Sequence, residues 1–104
     1  MNKSVDNKDA LLELLQSHKI QILDFGVSRI GLFGSFVRND VHTGSDVDFL
    51  VEFKKGQKNY DNFIGLAYYL QELLGRKVEL LTPKSMSKHI GHKIMKEVEY
   101  VVAA

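Results

Sequence analysis

A Gly-Ser pair at positions 34 and 35 is followed, after ten intervening residues, by two aspartates in an Asp-x-Asp arrangement, Asp46 and Asp48. Ahead of the pair lies an apolar run, Val27, Ile30, Leu32 and Phe33, which reads as a buried strand feeding a tight turn and then a helix start. Backbone N–H groups at a helix start are free to donate to anions. The aspartates head a second apolar run, Val47, Phe49, Leu50, Val51 and Phe53. Residues i and i+2 of a strand share a side, so Asp46 and Asp48 are expected to face one way and Val47, Phe49, Val51 and Phe53 the other. Together these groups can hold a metal-bound triphosphate. Mg2+ suits them, because it takes hard oxygen ligands and is commonly held by one or two carboxylates plus substrate phosphates. A pair of such ions can clamp the attacking and leaving oxygens of an in-line displacement.

Each dipeptide alone has an ordinary reading, Gly34-Ser35 as a helix cap and the aspartates as a solvated strand edge. The joint spacing changes the balance, since four fixed residues at fixed offsets arise by chance in about one chain of this length in a thousand. Ser35 reads as a phosphate ligand rather than a nucleophile, because no base and orienting carboxylate accompany it. Its hydroxyl and N–H can donate to a β- or γ-phosphate oxygen. Arg38 lies one turn further along the expected short helix and can reach the same triphosphate; the alternative is a solvated surface arginine. Ser45 is read as a cap or turn residue with no catalytic part.

The elements that must position these groups follow from periodicity. A helix is expected from about Lys8 to His18, with Leu11, Leu14 and Leu15 at helical spacing and Asn7 or Asp6 as cap. A short helical or irregular stretch then leads to Phe25-Gly26. The first strand, about Val27 to Phe33, delivers Gly34-Ser35; after a brief helix and a loop around His42-Thr43-Gly44, the second runs from Asp46 to Phe53. Residues 54–59 form a polar loop. A long helix from about Tyr60 to Leu74 buries Phe63, Leu66, Ala67, Leu70, Leu73 and Leu74 and ends at Gly75. A third strand, Lys77 to Leu81, stops at Thr82-Pro83; a helix from Lys84 to Lys96 and a strand from Val98 to Val102 close the chain. Alternation sets Glu79 opposite Val78 and Leu80, either on the polar face of an edge strand or as a third carboxylate beside the pair.

With 104 residues, 44% hydrophobic and 26% charged, the chain is sized for one compact domain, 1–104, able to bury about two thirds of its unfolded surface. Its apolar stretches fall far short of the roughly 18 residues a transmembrane helix needs, and the polar start lacks a signal-peptide core. A cytoplasmic location is the expectation. The absence of cysteine removes disulfides, thiolate zinc sites and cysteine nucleophiles. A net charge of +1 supplies no field for nonspecific nucleic-acid binding, so no direct nucleic-acid contact is expected. His89 and His92, three apart on the last helix, lack the further ligands a zinc site needs. Lys84, Lys88, Lys93 and Lys96 read as a solvated basic face, available to an acidic partner.

Extended as Gly31-Leu32-Phe33-Gly34-Ser35-Phe36-Val37-Arg38 and Ser45-Asp46-Val47-Asp48-Phe49-Leu50-Val51, the pattern resembles the signature of the DNA polymerase beta nucleotidyltransferase superfamily. It is most similar to the minimal nucleotidyltransferases of prokaryotes, often encoded beside a partner of the HEPN type. The likeness runs from the first helix through Lys77-Val78-Glu79-Leu80-Leu81-Thr82-Pro83 to Glu97-Val98-Glu99-Tyr100-Val101. It implies an α/β (α+β) fold with a small mixed sheet flanked by helices. It also implies Mg2+-dependent transfer of AMP from ATP to a hydroxyl, with Asp46 and Asp48 as metal ligands and Gly34, Ser35 and Arg38 on the nucleotide. The family places a third acidic residue on a neighbouring strand, where it completes the metal site and can help deprotonate the attacking hydroxyl. Glu79 holds that position, although the family's usual residue is Asp and the extra methylene changes its reach. The implied role is an antitoxin that binds and adenylylates a HEPN ribonuclease toxin, in complex with it. Two alternatives stand beside this: an antitoxin that masks its partner with little catalysis, and an enzyme acting on small hydroxylated molecules such as aminoglycosides.

Overall fold

The computed structural model describes residues 4–104. The elements run α1 (Lys8–Ser17), α2 (Lys19–Leu23), β1 (Val27–Phe33), β2 (Val47–Phe53), α3 (Tyr60–Leu74), β3 (Val78–Leu81), a 3-10 turn (Pro83–Ser85), α4 (Lys88–Glu97) and β4 (Glu99–Ala103). Three helices start at side-chain caps: Asn7 accepts from the Ala10 N–H, Asn59 from Asn62 and Ser87 from Ile90. Each cap satisfies a backbone donor the first helical turn leaves open. Gly75 ends α3 in the left-handed region, at φ 66°, where a side chain would be strained.

The strands form one sheet in the order β3-β2-β1-β4. β1 pairs antiparallel with β2 and β4, and β2 pairs parallel with β3. A parallel pair cannot be closed by a tight turn, and α3 supplies the crossover. One face of the sheet packs against α1 and α3: Val47, Phe49 and Val51 of β2 and Val78 and Leu80 of β3 join Leu11, Leu15, Leu66 and Leu70 in the main core. A bulge in β1 between Val27 and Arg29 reverses the alternation, so that Val27, Ile30 and Leu32 all reach that core. On the opposite face Phe33, Leu50 and Ile94 make a small second cluster under α4. Among the described residues, no helix is long and apolar enough to cross a membrane.

Several expected elements shift; the third and last strands each start one residue later than expected, at Val78 and Glu99. After Ser35 there is no helix; residues 34–39 form consecutive turns, held by the Arg38 N–H on the Gly34 carbonyl and the Asp40 N–H on the Ser35 carbonyl. Asn39, at φ 56°, turns the chain out of helical geometry before a second turn can form. The second strand begins at Val47, leaving Asp46 just ahead of the ladder. The last helix begins at Lys88 rather than Lys84, because Thr82 and Ser85 cap each other around Pro83 and close a separate turn.

Candidate active site

Register brings the acidic residues together. Phe33, the residue before Gly34, pairs with Asp48 across β1 and β2, and Asp48 pairs with Glu79 across β2 and β3. Side chains paired in register on adjacent strands, about 4.8 Å apart, share a face; Asp48 and Glu79 therefore project from the α4 side of the sheet, opposite Val47, Phe49, Val78 and Leu80. Glu79 combines both of the readings open to it: it is exposed on an edge strand, and it flanks Asp48.

Gly34 is required by two independent constraints. Its φ is +76°, and a methyl group at this position would fall on Asp48 Oδ2. Only a glycine lets the backbone turn this close to the carboxylate. Asp48 is partly buried, and burial, with the neighbouring carboxylates of Glu79 and Asp46 behind it, raises its pKa from the ordinary 3.8 to about 6; Arg38 opposes the rise and Glu97 adds to it. Asp48 thus sits among acids with one nearby cation to offset them. Among the described residues no three His, Asp or Glu side chains are gathered closely enough to hold a metal ion by themselves. That is compatible with Mg2+, which draws part of its shell from phosphates and water.

Two residues the motif does not include shape the site. Arg76, just after α3, donates from Nη1 to the carbonyls of His42, Thr43 and Ser45 at 3.1, 3.3 and 2.8 Å, and from Nε to that of Val5 at 2.6 Å. Its guanidinium lies 5.2 Å from the centre of the Phe36 ring. This clamp, with the buried Ser45 hydroxyl accepting from the His42 N–H, fixes the loop that delivers Asp46. Glu97, at the end of α4, accepts from the Gly34 N–H at 2.7 Å and from Arg38 Nη1 at 2.8 Å. Neither residue had a local signal, since their partners lie 31 to 71 residues away in the chain.

A glycine turn against a partly buried aspartate, flanked by a second and a third carboxylate and an arginine, is an arrangement suited to binding a polyphosphate and its cation. The sequence pattern of the nucleotidyltransferase domain family matches residues 11–103. The chain belongs to that family. This nucleotidyltransferase is 40% identical over 89 residues to the protein adenylyltransferase MntA of Thermococcus cleftensis, an alignment covering 85% of this chain and 89% of the relative. A solved candidate minimal nucleotidyltransferase superposes with a TM-score of 0.69 at 26% identity, covering 85% of this chain and 93% of that one. A toxin–antitoxin crystal structure containing AMP-PNP shares the fold, with a TM-score of 0.64 at 21% identity, covering 94% of this chain and 74% of that one. The mixed four-stranded sheet with four helices is the minimal nucleotidyltransferase fold.

Proposed function

We propose that the chain, as a single minimal domain, transfers AMP from ATP to a hydroxyl of a partner protein, a HEPN-type toxin, and so acts as its antitoxin in the cytoplasm. The observation that carries the reading is the pairing of Asp48 with Glu79 beside the Gly34 turn. The likeness to a protein adenylyltransferase supports a protein acceptor, and a toxin–antitoxin complex with AMP-PNP on the same fold supports the partner class and the nucleotide.

In the proposed reaction the acceptor hydroxyl oxygen attacks the α-phosphorus of ATP. The bond from that phosphorus to the oxygen bridging it to the β-phosphate breaks, and pyrophosphate leaves with the electron pair. Gly34 and Ser35 hold the β- and γ-phosphates, with Arg38 donating to the same group. Glu79, exposed at the sheet edge, accepts the proton of the attacking hydroxyl. The donor set of Asp46, Asp48 and Glu79 consists of hard oxygens, and the raised pKa of Asp48 marks a carboxylate short of positive charge; both fit Mg2+, with two ions as the expected number. Bound there, Mg2+ would supply charge neutralisation at the phosphates. The rest of catalysis is positioning.

The test is incubation with Mg2+, labelled ATP and the product of the neighbouring gene, beside an Asp46→Ala/Asp48→Ala control. Label should pass to the partner only with the unmutated protein. A stable complex that silences the partner without any transfer would instead assign the chain to masking.

A further inference from the structure

Of the groups assigned to the triphosphate, two, the Gly34 N–H and the Arg38 guanidinium, are engaged by one internal carboxylate. Glu97 Oε2 lies 2.7 Å from Gly34 N, and Oε1 lies 2.8 Å from Arg38 Nη1. Guanidinium and backbone N–H groups recognise carboxylate and phosphate oxygens by the same geometry, so Glu97 occupies these donors as two oxygens of a phosphate would. Its backbone is pinned: Ile94, one turn earlier, is buried with Phe33 and Leu50, and Val98 lies so close over Gly31 that a methyl there would overlap it. Its side chain is not pinned. It is 31% exposed and the Arg38 side chain is 55% exposed, leaving room for a rotamer change into solvent without movement of α4.

Resting on the nucleotide reading above, we infer that Glu97 is an internal stand-in for phosphate that gates the triphosphate subsite. In the nucleotide-free protein its carboxylate occupies the Gly34 N–H and Arg38. The β- or γ-phosphate enters by displacing it. Because the competent state is only the fraction with Glu97 swung away, the apparent affinity for ATP is lowered by that fraction.

The experiment is calorimetric titration of AMP-PNP with Mg2+ into the full chain and into Glu97→Gln, Glu97→Asp and Glu99→Gln, with thermal melts to confirm folding. Glu97→Gln should bind roughly tenfold tighter, the scale expected for losing charge-assisted contacts to both donors. Glu97→Asp keeps the charge but is one methylene too short to bridge them, and should also bind tighter. Glu99→Gln, whose native partner is Lys8, should match the unmutated protein. In the 15N–1H spectrum, the Gly34 amide should shift on Glu97→Gln in the absence of nucleotide. Tighter binding by Glu97→Gln with no gain in Glu97→Asp would mean that net charge alone is at work, and would overturn the gate. Weaker binding by both variants would make Glu97 a positioning residue for Arg38 and overturn it equally. If neither the unmutated chain nor any variant binds the nucleotide, the nucleotide reading itself fails and the gate with it.

Discussion

The two faces of the sheet are built from alternate residues of the same strands and do opposite work. Toward α1 and α3, Val47, Phe49 and Val51 are fully buried in one continuous core. Toward α4, the residues interleaved with them are Asp48, Leu50 and Glu52, and only Leu50 is fully sealed, against Phe33 and Ile94. The dry face holds the fold together, and that surplus lets the other face keep several carboxylates close. Like charges in a half-buried site oppose folding. Here they are tolerated because the apolar burial that stabilises the sheet lies on the far side of the backbone.

The contrast breaks most sharply if Asp48→Asn is made. Catalysis should fall by about a thousandfold or more, because a metal ligand carries several kcal/mol of charge stabilisation, while the thermal midpoint should be kept or raised; labelled-ATP transfer and a melt read the two effects separately. Next comes truncation on either side of the sheet. Phe49→Ala should cost about 3–5 kcal/mol in urea unfolding, and Ile94→Ala about 2 kcal/mol, because truncating Ile94 removes fewer atoms from a small cluster at the edge of solvent and leaves a less enclosed cavity. Equal losses would remove the asymmetry. Gly34→Ala should cost about 1–2 kcal/mol, from its positive φ and the overlap with Asp48, and should lower nucleotide affinity measured by titration.

The smallest effect expected is on pH dependence. Asp48 has a folded pKa of about 6 against an ordinary 3.8, so between those values the folded state binds more protons than the unfolded one. Its contribution to stability is therefore fully present below about pH 4 and lost as pH rises through about 6. Discounted for partial exposure, the change should amount to about 1 kcal/mol. Melting curves of the metal-free protein from pH 4 to 7 should show this decline, and Asp48→Asn should flatten it. Mg2+ affinity should run the other way, strengthening as pH rises, because the ion binds the deprotonated carboxylate.

Much of this was legible because it was local. The alternation of β2, the stripe of α3 and its stop at Gly75 require only neighbouring residues, and the fixed spacing from Gly34-Ser35 to Asp46 and Asp48 pointed to one site. The helix expected after Ser35 failed because the Arg38-Asn39-Asp40 stretch carries no periodic apolar stripe, and a left-handed Asn39 ends the turn. The reading of Lys84 as helical missed the reciprocal Thr82 and Ser85 cap, a side-chain detail that propensity does not register.

What the sequence determined by itself was the chemistry available: two aspartates two positions apart at the head of an apolar run, a glycine turn, an apolar alternation that buries one face. Tertiary structure alone decided which groups meet. Glu79 comes beside Asp48 because α3 returns β3 parallel to β2 in one particular register. Arg76 reaches three carbonyls of the loop before Asp46, and Glu97 closes on Gly34 and Arg38 from 63 and 59 residues away. Local pattern fixes which side of an element a residue faces, whereas such long-range contacts depend on how whole elements pack, and a carboxylate or guanidinium with a distant backbone partner leaves no periodic trace.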